Sequence, residues 1–353
     1  MSENEMRRQK ISWFVSSAVF ACIVLALIIG LGKIMQDKTS KHLVTPLYDE
    51  EAQYDVVLLG TSHVLSGLYP MIMWENSGIA ACNYAQVGQV FPLTYYSAKE
   101  AIDVVEPEMI VCDLYYIYKE GKASDNMPYK HQTLDNMRFF SPNRIEAIMD
   151  VIVKEDRSDF LFPFFAYHSR WNDLAKRDFE GTVSYTKGSE EKFSRAEEPF
   201  AQPFVPVAQS EMKRPSDEVI EYIDKLIALC EETETKLLFT VVPYYPMGEQ
   251  QGRILEDDQR LFNWVGNYVE QQGIECLNML YLIDEMGFDM DEHMREWNHQ
   301  NYWGGTVTST YLAEYIQQNY GIADHRGEAG YEQWDADLAD YTNWCEGQLK
   351  KAK

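Results

Sequence analysis

No CxxC pair, HExxH motif or Cys/His cluster at metal-ligand spacing occurs in this 353-residue chain, so no bound metal and no other cofactor is expected. Six cysteines are present, but Cys22 lies in an apolar run and the other five are an odd number at irregular spacing, which argues against a disulfide framework. Basic side chains are scarce. The chain has 31 Lys and Arg against 56 Asp and Glu, a formal net charge of −25. Phosphate binding needs a concentrated basic surface, so nucleic acid is excluded as a partner. With 46% hydrophobic and 13% aromatic residues the chain can bury a sizeable core, which excludes general disorder. At roughly 150 residues per domain, the length fits two domains or one α/β domain with insertions.

Charge is missing altogether from Ile11 to Gly32. As a helix this run of about 22 residues rises about 33 Å, enough to cross a bilayer. A cleaved signal peptide is the competing reading. The apolar core is long, however, and no small-x-small cleavage site precedes Lys33, so the segment reads as an uncleaved anchor. Arg7, Arg8 and Lys10 precede the run while Lys33, Lys38 and Lys41 follow it. The basic flank before the first span favours the N-terminus inside and the rest of the chain outside the cytoplasm, in a single-pass protein of the cell membrane.

Beyond the span, short apolar runs alternate with amphipathic ones, the pattern of an α/β domain with a mainly parallel sheet. Tyr54–Gly60, Ala81–Val87, Met109–Leu114, Leu237–Pro243 and Ile274–Leu277 read as strands. Val219, Tyr222, Ile223, Leu226, Ile227 and Cys230 fall on one helical stripe started by Pro215 and Ser216, and Leu261, Val265, Tyr268 and Val269 form another. The expected layout is a cytoplasmic tail (1–10), the span (11–32), a tether (33–53), the α/β domain (54–322) and an acidic helical extension (323–353). An acidic, proline-containing insertion at about 184–215 reads as an exposed loop. Trp334, Leu338, Tyr341 and Cys345 recur at helical spacing, so the extension is expected to pack on the body.

Two places carry the residue types of nucleophilic catalysis. The first strand runs into Gly60-Thr61-Ser62-His63, which puts Ser62 at a strand's carboxyl end, where open α/β sheets bind ligands. A helix-capping serine is the plain alternative. Far along the chain, Glu296-Trp297-Asn298-His299 precedes Asn301 and a helix marked by Val307, Tyr311, Leu312, Tyr315 and Ile316. A carboxylate three residues before a histidine, on the loop entering the last helix, can orient that imidazole.

From Tyr54 to Tyr320 these residues resemble the SGNH/GDSL hydrolase superfamily, whose serine follows the first strand and whose Asp-x-x-His precedes the final helix. The likeness is greatest to its membrane-anchored extracytoplasmic branch, which carries G-[ST]-S-H. Proteins of that branch are similar to those that O-acetylate alginate or help load D-alanine onto teichoic acids. Tyr167–Trp171 (YHSRW) also resembles a feature of that branch. The resemblance implies a three-layer α/β/α fold, Ser62 as nucleophile and His299 as its base. The family's Asp position falls on Glu296, with Asp289 or Asp291 as substitutes if the loop folds differently. It further implies an oxyanion hole from the Ser62 amide, the Gly88 amide and an Asn after the third strand.

That strand instead ends Asp113-Leu114-Tyr115-Tyr116, without the family's GxND block. Losing one donor costs about 2.7–4 kcal/mol of transition-state stabilisation. Either His63, Tyr115 or Arg170 serves instead, or the protein is a slow enzyme or none. His168, Arg170 and Trp171 could line a glycan site, or Arg170 could pair with a buried acid such as Asp113. His131 and His293 read as surface or loop histidines, and Trp297 and Trp303 as a border to His299. The implied activity is that of a serine esterase or O-acyltransferase on a cell-envelope polymer, partnered by a membrane-bound O-acyltransferase in the transferase case. A non-catalytic envelope-binding or assembly protein is the contrasting expectation.

Overall fold

The computed structural model describes residues 3–351 apart from 39, 50–52, 120, 122–125, 180–184 and 251. Within the expected tether and insertion, Thr39, residues 50–52 and Ser184 therefore lie outside the described residues.

Five short parallel strands form the centre in the order β2-β1-β3-β4-β7. They are β1 (Val56–Leu59), β2 (Ala81–Asn83), β3 (Met109–Asp113), β4 (Lys236–Val241) and β7 (Glu275–Asn278). Parallel neighbours need crossovers, and helices supply them. Between β1 and β2 lie α3 (Ser62–Gly67) and α4 (Pro70–Ser77), and between β2 and β3 lies α5 (Phe91–Val105). From β3 to β4 the chain forms α6 (Met127–Asn136), α7 (Pro142–Val151), α8 (Arg157–Leu161), α9 (Pro163–Tyr167) and α10 (Asp217–Glu232). A two-residue hairpin, β5 (Glu249–Gln250) with β6 (Arg253–Ile254), precedes α11 (Glu256–Glu270). After β7 come α12 (Ile283–Met286), α13 (Met290–His293), a hairpin of β8 (Met294–Glu296) and β9 (His299–Gln300), then α14 (Tyr302–Tyr320) and α15 (Glu332–Lys351).

Strand residues alternate between the two sheet faces. Val57, Leu59, Ile110, Cys112, Phe239 and Val241 join one core with α5, α7, α10 and α11. Val56, Leu58, Val111 and Leu238 join the other with α3 and α14. Helices thus cover both faces of a mostly parallel sheet, and both faces are apolar for that reason. The stripe expected at Val219–Cys230 is the buried face of α10, whose N-cap Ser216 accepts from the Val219 amide.

Ahead of the sheet, α1 (Glu3–Met35) contains the uncharged run, and an 18-residue window within Met6–Met35 has a mean hydropathy of 2.7. It is long and apolar enough to span a membrane, and its described residues through Leu27 are exposed.

Two expectations about the layout need correction. The tether is not loose: α2 (Lys41–Val44) and the 3-10 turn Thr45–Tyr48 bury Leu43, Val44 and Leu47 in the core. Nor is the insertion simply an exposed loop. Asn83 donates to the Lys187 carbonyl and Tyr302 to that of Lys192, while the Glu190 amide reaches Leu65, so its first part threads between elements. Lys187, Ser189 and Glu191 are buried, and exposure resumes around Glu197 and Glu198. The extension, as α15, packs on α4 through Trp334, which stacks on Trp74 at 5.1 Å.

Candidate active site

In a sheet of this order the chain leaves β1 toward β2 on one side and returns to β3 on the other, opening a crevice at the carboxyl ends of β1 and β3. Ser62 opens α3 at that point. Thr61, the N-cap, accepts from the His63 amide, and a Cβ on Gly60 would lie 2.6 Å from Val64 Cγ2 and 3.0 Å from Asp113 Cβ. Only glycine lets the chain turn that tightly beneath the serine. Asp113 ends β3 and accepts the amides of Tyr115 (3.1 Å) and Val242 (2.9 Å), so it ties the ends of β3 and β4 together. Burial outweighs these hydrogen bonds and pushes its carboxyl up to about 7.

His299 reaches the same spot from the other end of the chain. The β8–β9 hairpin is held by Asn301, which caps α14 by accepting from Gly304 and donates to the carbonyls of Glu292 and Met294. On this mount, His299 Nε2 lies 2.8 Å from Ser62 Oγ and Nδ1 lies 2.8 Å from Glu296 Oε1. The upstream carboxylates are occupied elsewhere: Asp289 accepts the amides of Asp291 and Glu292, and Asp291 accepts that of Phe200. Arg295 Nη2 also contacts Glu296 Oε1, at 2.5 Å. Burial lowers the His299 pKa and outweighs the opposing pull of Glu296. For Glu296, burial works upward, but Arg295 and His299 prevail and hold its carboxyl below the usual range.

Beside this triad His63 is buried, stacked on Tyr115 at 3.3 Å and edge-on to Tyr244 at 5.1 Å, with its ring 5.5 Å from that of His299. Its Nε2 has no hydrogen-bond partner among the described residues. Burial, then His299 and Arg253, drive its pKa well down, so the ring is neutral at pH 7. Gly88 lies in a buried turn after β2, brought alongside β1 where the Gln86 amide donates to the Gly60 carbonyl (3.1 Å).

Three expected substrate-side residues lie elsewhere. Arg170 does not pair with Asp113. Its Nη1 donates to the carbonyls of Met35 (2.6 Å) and Gln36 (2.7 Å), and its Nη2 lies 3.2 Å from Asp178. His168 and Trp171 share its 3-10 turn (His168–Asn172) against the end of α1 and are exposed there. The segment therefore lies at the end of α1 rather than at the crevice, held there by Arg170 on carbonyls that α1 leaves unpaired. His131 stacks on Phe160, and His293 Nδ1 accepts from the Asp289 amide.

Sequence reasoning passed over Arg253, Asp258 and Tyr244. Arg253 lies 3.4 Å over the Tyr118 ring and 3.3 Å from Asp258 Oδ2, and Tyr244 donates to the same carboxylate. No motif marks them, since they converge from the loop after β4, the β5–β6 hairpin and the first turn of α11. A cleft of about 580 Å³ runs alongside, lined by Phe200, Tyr245, Met247, Arg295, Glu296 and Trp297 among others. Among the described residues its wall reaches the triad at Glu296 rather than at Ser62. Compared with known proteins, the chain matches no family model and no curated relative.

Proposed function

We propose that the chain is a membrane-anchored serine acyl esterase or O-acyltransferase of SGNH/GDSL type, acting outside the cytoplasm on acyl esters of a cell-envelope polysaccharide. The observation that carries the reading is the continuous hydrogen-bonded relay from Ser62 Oγ through His299 to Glu296, formed by residues 237 positions apart in sequence. Its place at the crevice between β1 and β3 adds support.

In this mechanism Ser62 Oγ attacks the ester carbonyl carbon and its proton passes to His299 Nε2. Glu296 holds the ring by Nδ1 and stabilises the imidazolium. The bond to the leaving alcohol breaks as that oxygen takes the proton back from His299. Water or a second alcohol then attacks the acyl group on Ser62, gives its proton to His299, and Ser62 regains its hydroxyl. A sugar hydroxyl as acceptor makes the protein a transferase, with a membrane-bound O-acyltransferase as the natural acyl supplier; water makes it an esterase. The Ser62 and Gly88 amides stabilise the oxyanion. His63 is the best placed of the three substitutes for the missing Asn, because its buried Nε2 is uncommitted, whereas Arg170 is bound to α1.

Asp113 at the end of β3 favours the second reading, a non-catalytic envelope-binding protein, because its carboxylate is consumed by structure where the family has a donor. A serine-directed fluorophosphonate on the full chain in detergent discriminates: covalent labelling that Ser62→Ala abolishes supports the enzyme. An unlabelled wild type of intact fold sinks it.

A further inference from the structure

We propose that the surface around the exit of α1, marked by Phe140, Phe165 and Trp171, is seated in the headgroup boundary of the bilayer, so that the domain lies against the membrane. The proposal rests on reading α1 as a span.

Depth is the first argument. Along α1 the side chains are exposed through Leu27, partly covered at Ile28 and Ile29, and buried at Gly32. A Cβ on Gly32 would lie 2.7 Å from the Phe164 amide nitrogen, so α9 meets α1 backbone to backbone at the last residue of the uncharged run. Whatever touches a spanning helix shares the depth of the residue it touches. A hydrocarbon core of about 30 Å, at 1.5 Å per residue, puts Gly32 at its edge, and α9 with it.

Rigidity is the second argument. One turn further on, Arg170 holds the Met35 and Gln36 carbonyls, Gln36 Nε2 donates to the Asp135 carbonyl at 2.7 Å, and Lys33 Nζ lies 5.0 Å from the centre of the Phe139 ring. The domain is therefore docked on the anchor and does not swivel about it.

The uncovered side chains complete the case. Outside α1, the Phe and Trp residues that are exposed among the described residues are Phe140 (74%), Phe165 (49%), Trp171 (64%) and Phe179 (67%). All four lie on the stretch that grips α1, Phe179 following the Asp178 that pairs with Arg170. Scattered apolar residues elsewhere need no explanation, but aromatic rings gathered around a membrane exit lie where such rings partition best. Continuity with the lipid-exposed face of α1 favours lipid over a second protein as the occupant.

The test uses the full chain in lipid nanodiscs. Cys22→Ala and Cys276→Ala remove the cysteines that are not buried, and Phe140→Cys, Phe165→Cys, Trp171→Cys and Met212→Cys are labelled singly with the environment-sensitive dye NBD. A label on native Cys22 reports the span itself through nitroxides deep in the acyl chains, so failure of that reading shows separately. Nitroxides near the headgroup are expected to remove at least half of the emission at positions 140, 165 and 171, with blue-shifted spectra, and to leave position 212 unchanged. Emission at all three positions as red and unquenched as at 212 would overturn the proposal. So would blue-shifted emission that lipid nitroxides do not quench, which would mean that protein covers the patch.

Discussion

Replacing Glu296 by Gln keeps the side-chain shape and removes the charge that faces His299 Nδ1 at 2.8 Å. In a buried serine-protease triad the equivalent change costs about 10⁴ in turnover. Here the cost is smaller, because the Glu296 side chain is 44% exposed. Two unit charges about 4 Å apart interact by about 1 kcal/mol in water and about 4 kcal/mol near a protein surface, so a value of about 2 kcal/mol and a loss of about 30-fold in kcat is expected. The pH profile separates this cause from mere disruption. His299 must be neutral to accept the Ser62 proton, so activity rises with pH through its pKa. Burial lowers that pKa and Glu296 partly restores it. Without the carboxylate, and with Arg295 left unpaired beside the ring, the rising limb of kcat/KM moves to lower pH while the plateau falls. Aryl-acetate hydrolysis by the full chain, followed from acid to neutral pH, reads both effects. A plateau within twofold of wild type, or a fall with no displacement of the limb, would refute the role assigned to Glu296.

Ser62→Ala and His299→Ala should each abolish aryl-acetate hydrolysis, with the double variant hardly worse than either single; additive losses would break the unit apart. Arg295→Gln removes a cation that opposes His299 protonation, so the rising limb should move to higher pH, and a limb that stays in place would show that Arg295 does not reach the ring electrostatically. Gly60→Ala forces a methyl to within 3 Å of Val64 and Asp113 and should cost about 1–3 kcal/mol, read as a lower unfolding midpoint together with weaker fluorophosphonate labelling. His325 is buried enough to lower its pKa, but Glu328 at 2.7 Å and Asp55 at 3.3 Å prevail and raise it. Its stabilisation of the loop before α15 is full below the unfolded value of 6.5 and is lost as pH rises through the raised one. The protection of α15 against hydrogen exchange, taken relative to the intrinsic rate at each pH, should therefore fall above that pH in wild type and not in His325→Ala.

The legible parts of the site were those whose chemistry sits beside a strong structural signal. Ser62 follows an unbroken apolar strand, and His299 stands before a helix that Asn301 caps, so each could be singled out from its place along the chain, while the resemblance to the SGNH/GDSL pattern paired them. For Arg170 the sequence left a glycan site and pairing with a buried acid both open, because a guanidinium in an aromatic segment looks the same in either setting; the acid is Asp178 rather than Asp113. His63 could be named but not placed, since its environment comes from Tyr115 and Tyr244, about 50 and 180 residues downstream. Arg253 had no signal at all: a two-residue hairpin has no period to detect. Strand positions were legible to within a few residues because both sheet faces are apolar, which also blurs where each strand stops.

The packing of Leu43, Val44 and Leu47 bears on how the protein comes into being. A soluble version begun at Tyr54 would leave the Tyr54 hydroxyl without the Pro46 carbonyl it donates to, and would open the core where those three side chains belong. During synthesis the same residues emerge directly behind α1, before any strand of the sheet exists, and the core closes over them only when β1 and the helices after it arrive. The stretch between α1 and β1 is thus part of the folding unit: a chain cut within it would carry exposed apolar surface and an unfinished fold, the kind of state that cells clear by proteolysis.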